Sequence, residues 1–148
     1  SFIYSSHFLE HLFYQDVCKI LLESYRVMAP GGVISICVPD ARKYINTYYE
    51  NDFILRELDG SSVLSPRFFG DGDDVYGAAL VSTGSPIDWL NYIAYSNGEH
   101  RYMFDQNNLI AHLNNAGFFS SRIRDFDSIL DQSCKNNESI YAHAIKPI

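Results

Sequence analysis

The stretch YRVMAPGGVISICVPD, residues 25–40, decides the architecture. Its first residues close a segment in which Val17, Ile20, Leu21, Tyr25 and Met28 recur at helical spacing. An amphipathic helix is therefore expected from Asp16, with Arg26 in its last turn where a cation suits the helix dipole. Ala29-Pro30-Gly31-Gly32 ends it, because proline blocks continuation and glycine permits positive φ. Gly31 or Gly32 is expected to adopt that conformation to reverse the chain. Residues 33–38 are then almost continuously apolar, the habit of a strand covered on both faces in a parallel sheet between helices. Pro39-Asp40 ends the strand, and Asp40 is placed to cap a helix carrying Ala41, Tyr44, Ile45 and Tyr48 on one side.

The flanks extend this pattern. Phe2-Ile3-Tyr4 reads as a short strand stopping at Ser5-Ser6. From Asp59 to Gly84, frequent glycines and the Asp71, Asp73, Asp74 cluster read as a loop-rich insertion. The cluster lacks the alternation and distant glutamate of a calcium-binding EF-hand loop. Ser85-Pro86 reads as a cap followed by the first helical residue, opening a helix through Trp89, Leu90 and Ile93. Asp105 caps another helix with Leu109, Ile110, Leu113 and Ala116, closed by Gly117. Strands are expected around 122–126 and 140–145, joined by a polar turn. The order strand, helix, strand, helix, insertion, helix, strand, strand indicates an α/β fold ending in a hairpin.

The 148 residues suffice for one domain with a core, and 47% apolar against 20% charged residues argues against disorder. A net charge of −7 without a basic run argues against a phosphate-tracking nucleic-acid binder. Apolar runs fall well short of the ~20 residues of a membrane span, and the first residues lack the basic region of a signal peptide. Cys18, Cys37 and Cys134 are widely spaced without a CxxC pair, which fits reduced, buried thiols of a cytoplasmic protein.

Read together, Tyr4-Ser5-Ser6-His7-Phe8-Leu9-Glu10-His11-Leu12, the Arg26-to-Gly32 turn, Ile36-Cys37-Val38-Pro39-Asp40 and the later His100-Arg101-Tyr102-Met103-Phe104-Asp105 form a pattern. Asn115-Ala116-Gly117-Phe118 and the run from Glu138-Ser139-Ile140-Tyr141 to Lys146 complete it. The pattern resembles the second half of a class I SAM-dependent methyltransferase, of the type 11-like group of predicted bacterial enzymes. Met28 and Ala29 depart from the family's RVLKPGG turn, and residues 51–99 lie outside the resemblance as an insertion or cap. The resemblance implies a partial Rossmann-like sheet, strands four to seven of the family order, running 4-5-7-6, with a C-terminal antiparallel hairpin and a helical insertion. The family's glycine-rich turn and the carboxylate that holds the ribose have no counterpart here. Residues 1–148 therefore read as the C-terminal part of a methyltransferase domain, truncated and inactive alone, and binding of S-adenosyl-L-methionine by this chain is expected to be weak or absent.

The resemblance also implies site residues. Ser5, Ser6 and His7 fall where the cofactor lies, at the C-terminal edge of an open α/β sheet. His7 is the candidate catalytic residue, able to orient the acceptor or take its proton; the alternative is that it hydrogen-bonds a loop backbone. Asp40, His100, Arg101 and Tyr102 are candidate contacts for a small-molecule, sugar-like acceptor, each with a capping or packing alternative. The aromatics Tyr48, Tyr49, Phe68, Phe69, Tyr76, Trp89, Tyr92 and Tyr95 form a local core or a cap over the acceptor. His7-Phe8-Leu9-Glu10-His11 also spells HxxEH, a zinc-protease pattern. That chemistry needs both histidines one helical turn apart and a third ligand, whereas the helical signal begins later, so no metal is assigned and Glu10 and His11 are read as fixing the turn. A non-catalytic, self-associating fragment is the competing class. In either case the strand at residues 2–4, lacking its inner neighbour, and a face lined by Ile3, Ile34 and Ile36 are expected to be bare and to drive a homodimer or larger oligomer.

Overall fold

The computed structural model describes residues 1–70, 81 and 83–148. The Asp71, Asp73, Asp74 cluster and Tyr76 lie outside the described residues. Four strands form the main sheet: β1 (Phe2–Ser6), β2 (Val33–Pro39), β5 (Phe119–Arg124) and β6 (Ser139–Ile145). Their order is β1-β2-β6-β5, which corresponds to the expected 4-5-7-6. β1 and β2 run parallel, with Ile3 opposite Ile34 and Ser6 opposite Cys37. β6 runs antiparallel to both neighbours. A strand reversed between β2 and β5 brings the start of β6 to the same sheet edge as the ends of β1 and β2, so that Pro39 pairs with Ser139.

Between β1 and β2 runs α1 (Tyr14–Val27), beginning two residues before the expected Asp16. It buries Val17 and Leu21. Gly31 has φ +72°, and its neighbour Gly32 is needed for a different reason, the absence of room for a Cβ. Asp40 caps α2 (Ala41–Glu50), its side chain accepting the Arg42 N–H at 3.0 Å. Asp105 opens α4 (Gln106–Asn115) with a reciprocal bond to Asn108, and Gly117 follows at φ +100°. The core joins Leu9, Val17 and Leu21 to Ile34, Ile36 and Val38, and to Leu109, Leu113, Ile140 and Ala142.

The insertion departs from a purely helical reading. It contains a second sheet, the antiparallel hairpin β3 (Phe53–Leu58) and β4 (Ser61–Pro66), before α3 (Ile87–Tyr95). The signal was Asp59-Gly60: both have positive φ, +48° and +78°, as a two-residue hairpin turn of type I′ requires. Counting glycines concealed it. Ser85 is not the cap of α3; Thr83 ties the helix instead, its N–H and hydroxyl donating to Asp88 Oδ2 at 2.9 and 2.7 Å. Tyr44, Phe69, Trp89, Tyr92 and Ile93 make a second core on α2, so Phe69, Trp89 and Tyr92 pack locally, while Tyr49 and Tyr95 face solvent.

Three further expectations change. β5 begins at Phe119, with Ser120 at φ +53° where the register shifts, earlier than the expected 122–126. Cys37 is buried, but Cys134 is exposed and Cys18 intermediate; all three are free thiols. Ile34 and Ile36 are each 1% exposed, covered by α1 and α4 side chains, so the sheet face next to β1 is less bare than expected. Among the described residues no helix is long and apolar enough to cross a membrane.

Candidate functional site

The ends of β1 and β2 and the start of β6 converge on one sheet edge, and the polar residues gather there. His7 leaves β1 at φ +47°, a conformation rare outside glycine, held by its N–H donating to the Cys37 carbonyl at 2.9 Å. A single 3-10 turn, Leu9–His11, follows. HxxEH therefore spans a strand end and this turn, not an α-helix, and the protease arrangement does not form.

The next approach comes from after α3. Ser96, Asn97 and Gly98 all have positive φ, +39°, +55° and +90°. This tight reversal returns the chain against the 3-10 turn, where the N–H groups of Arg101 and Tyr102 donate to the Glu10 carbonyl at 2.7 and 3.2 Å. His100 is thereby set beside His11, ring centroids 5.2 Å apart and edge to face.

Hydrogen-bond partners fix the protonation pattern. The Ser139 hydroxyl donates to the Lys135 carbonyl at 2.6 Å. Its oxygen must therefore accept from His7 Nε2, 2.8 Å away, which leaves the His7 Nδ1 lone pair facing Glu10 Oε1 at 3.5 Å. His11 Nδ1 lies 3.1 Å from the Glu99 carbonyl and His100 Nδ1 2.8 Å from the Ile93 carbonyl. Carbonyls only accept, so both Nδ1 atoms carry a proton, and Nε2 is the ring nitrogen each histidine has left for a ligand. The ligand atoms of Glu10, His11 and His100 all lie within 4.8 Å of one another. Glu10 is 3% exposed, and its Oε2 has no hydrogen-bond partner among the described residues.

Burial governs the electrostatics. It pushes the Glu10 carboxyl up to about 7, against the opposing pull of its own backbone N–H and of His11. It holds His7 down at about 3, helped by Lys135, His100 and His11. His7 and Glu10 thus face each other without forming an ion pair. A neutral imidazole that is so weak a base positions better than it deprotonates. His100 is also lowered, again by burial first.

The structure gathers His7 and His100 around Glu10 but spreads the other candidates. Ser5 and Ser6 line an apolar groove of about 390 Å³ between β1 and α1, with Ile3, Phe8 and Ile20; the Ser5 hydroxyl is buried without a partner among the described residues. Asp40 is 5% exposed and occupied by its cap bond, its own N–H donating to the Glu138 carbonyl at 2.8 Å. Burial raises its pKa, opposed by the Arg42 N–H. Arg101 turns away, its guanidinium 5.4 Å from the Phe13 ring centroid and bonded to the Gly98 carbonyl. Tyr102 also turns away, its hydroxyl 3.1 Å from His112 Nε2.

Two buried groups at this edge escaped the sequence reading. The sequence places Glu10 in the turn after β1 and within the HxxEH spelling, with no sign of its burial. Glu138, 1% exposed, accepts from the Tyr44 hydroxyl at 2.5 Å and the Tyr92 hydroxyl at 3.3 Å, linking β6 to the second core; burial raises its pKa. Locally Glu10 is marked only by the HxxEH spelling, while its neighbour His100 comes from far away in sequence, and no local signal points to Glu138, whose partners Tyr44 and Tyr92 lie 94 and 46 residues away.

No family model matches the chain, and no curated protein matches it. Among solved structures it is similar to the crystal structure of a candidate O-methyltransferase from Nostoc punctiforme, at 12% identity and a TM-score of 0.48, over 98% of this chain and 31% of that one. The chain thus spans less than a third of that protein's length.

Proposed function

We propose that residues 1–148 form the acceptor-side half of a SAM-dependent methyltransferase, acting on a small-molecule, sugar-like acceptor. The observation that carries the reading is the sheet order β1-β2-β6-β5, two parallel strands followed by a reversed pair. It is the order implied by the family resemblance that residues 4–12, 25–40 and 138–146 carry. In open α/β sheets ligands occupy the crevice beyond the C-terminal ends of the parallel strands, the edge where His7, Asp40, His100 and Ser139 stand.

When bound, S-adenosyl-L-methionine supplies an electrophilic methyl group, and transfer requires chiefly alignment and exclusion of water. This division suits the residues present. Ser5 and Ser6 border the cofactor side, where the Ser5 hydroxyl is buried without a partner among the described residues. His7, locked by Ser139 and Cys37, orients the acceptor rather than accepting its proton. Asp40 and His100 border the acceptor, with the main chain of Arg101 and Tyr102 holding His100 in place. The glycine-rich cradle lies outside residues 1–148.

Calorimetric titration with S-adenosylhomocysteine tests the reading on residues 1–148 and on the natural protein including whatever precedes Ser1. Saturable binding is expected only for the longer protein. A folded longer protein that does not bind overturns the methyltransferase reading, and micromolar binding by residues 1–148 overturns the placement of the cradle.

A further inference from the structure

We propose that Glu10, His11 and His100 form a binding site for one divalent transition-metal ion of the zinc class. Three observations carry it, none dependent on the methyltransferase reading. First, the ligand atoms of these residues lie within 4.8 Å of one another, brought from the turn after β1 and the reversal after α3. Second, His11 and His100 each anchor Nδ1–H on a backbone carbonyl, Glu99 at 3.1 Å and Ile93 at 2.8 Å. Such an anchor typically fixes the tautomer and ring direction of a metal-ligating histidine. Third, Glu10 Oε2 is buried without a hydrogen-bond partner among the described residues, while Oε1 faces the lone pair of His7 Nδ1 at 3.5 Å and lies 3.7 Å from His11 Nε2.

A buried carboxylate with one oxygen unpartnered and the other facing the His7 lone pair is an unfavourable set of acceptors unless a proton or a cation sits among them. Two imidazoles and one carboxylate match the donor set that zinc takes with an open fourth position, and imidazole with carboxylate also suits iron(II). Ligands of a tetrahedral zinc ion stand roughly 3.3 Å apart, given bonds near 2.0 Å. The cluster must therefore contract, and the half-exposed His11 side chain, at 37%, is the member free to do so. The ligand set differs from the HxxEH pattern: Glu10 is a ligand instead of the base, and His100 replaces His7.

The test uses chelator-stripped protein titrated with Zn(II) by calorimetry and with Co(II) by visible absorption. One equivalent is expected to bind, with d–d bands and no thiolate-to-cobalt charge transfer. His11→Ala and Glu10→Gln are each expected to weaken binding at least about tenfold, since even indirect supports of metal ligands are worth ~10–100-fold. His11 is exposed, so its variant keeps the fold, checked by circular dichroism. Cys134→Ser, at an exposed free thiol, is expected to bind like the parent. The proposal is overturned by an absence of saturable binding, by affinity unchanged in folded His11→Ala, or by thiolate bands that disappear in Cys134→Ser.

Discussion

Alanine at Gly31 and alanine at Gly32 should each destabilise the protein, for separable reasons. Gly31 sits at φ +72° with open space where a Cβ would stand, so its cost is backbone strain alone, about 1–2 kcal/mol for an L-residue in the left-handed region. Asparagine tolerates that region and should recover most of the loss. Gly32 has no positive φ, but a Cβ there would lie 2.5 Å from Met28 Cγ and 2.9 Å from the Ala29 carbonyl oxygen. Neither can retreat easily. Met28 is 3% exposed within the core, and the Ala29 carbonyl accepts the Gly32 N–H at 2.9 Å. Overpacking of this kind costs about 1–3 kcal/mol. The turn also joins α1 to β6, since the Gly31 N–H donates to the Lys146 carbonyl and the Lys146 N–H to the Gly32 carbonyl, both at 2.9 Å. With an unfolding entropy of ~2 cal/mol/K per residue, 1 kcal/mol corresponds to roughly 3 °C in a chain of this size. Thermal melts should show losses of about 3–6 °C for Gly31→Ala and about 3–9 °C for Gly32→Ala, with Gly31→Asn close to the parent. Gly31→Asn melting as low as Gly31→Ala, or Gly32→Ala melting with the parent, would refute the two-cause account.

Asp131→Asn breaks a bidentate pair with Arg124, 2.6 and 2.7 Å, around a carboxylate with no exposed side-chain surface, and should cost about 3–5 kcal/mol near neutral pH. Burial alone would raise the Asp131 pKa, but Arg124, the Asp127 N–H and Tyr4 together hold it below 3.8; a depressed acid stabilises above its unfolded pKa and loses that contribution as pH falls through the folded one. Urea unfolding should therefore show a parent–variant gap that is full at pH 6 and shrinks below pH 4, and a gap independent of pH refutes it. Trp89→Ala removes a ring that is 1% exposed and donates to the Leu64 carbonyl at 2.7 Å, a loss of about 3–5 kcal/mol; an unchanged melting temperature would show the second core to be dispensable. Residues 1–148 produced alone should associate through the outer edge of β1, where Phe2 is 52% exposed, and Phe2→Lys should reduce the mass in light scattering; a monomeric parent rules this out.

Periodicity and turn chemistry made much of the fold legible in the sequence. The Pro30-Gly31-Gly32 stop, the apolar run at 33–38, the Asp40 and Asp105 caps and the Gly117 exit are local signals, each dictated by backbone sterics or by the orphan N–H groups of a helix start. The reversed strand pair was implied by the family resemblance and not by any local signal. The β3–β4 hairpin was legible too, through Asp59-Gly60, but glycine density outweighed it. The candidate site divides differently. His7 and His100 were marked by sequence as crevice residues, yet their roles depend on partners 132 and 7 residues away, Ser139 and Ile93. Glu10 shows the limit most clearly. In sequence it is a turn carboxylate within an HxxEH spelling, whereas the fold buries it to 3% exposure and brings His100, from beyond the 96–98 reversal, within reach. Burial and long-range proximity arise only when distant segments pack, so tertiary structure alone decided which acidic residue became the unusual one.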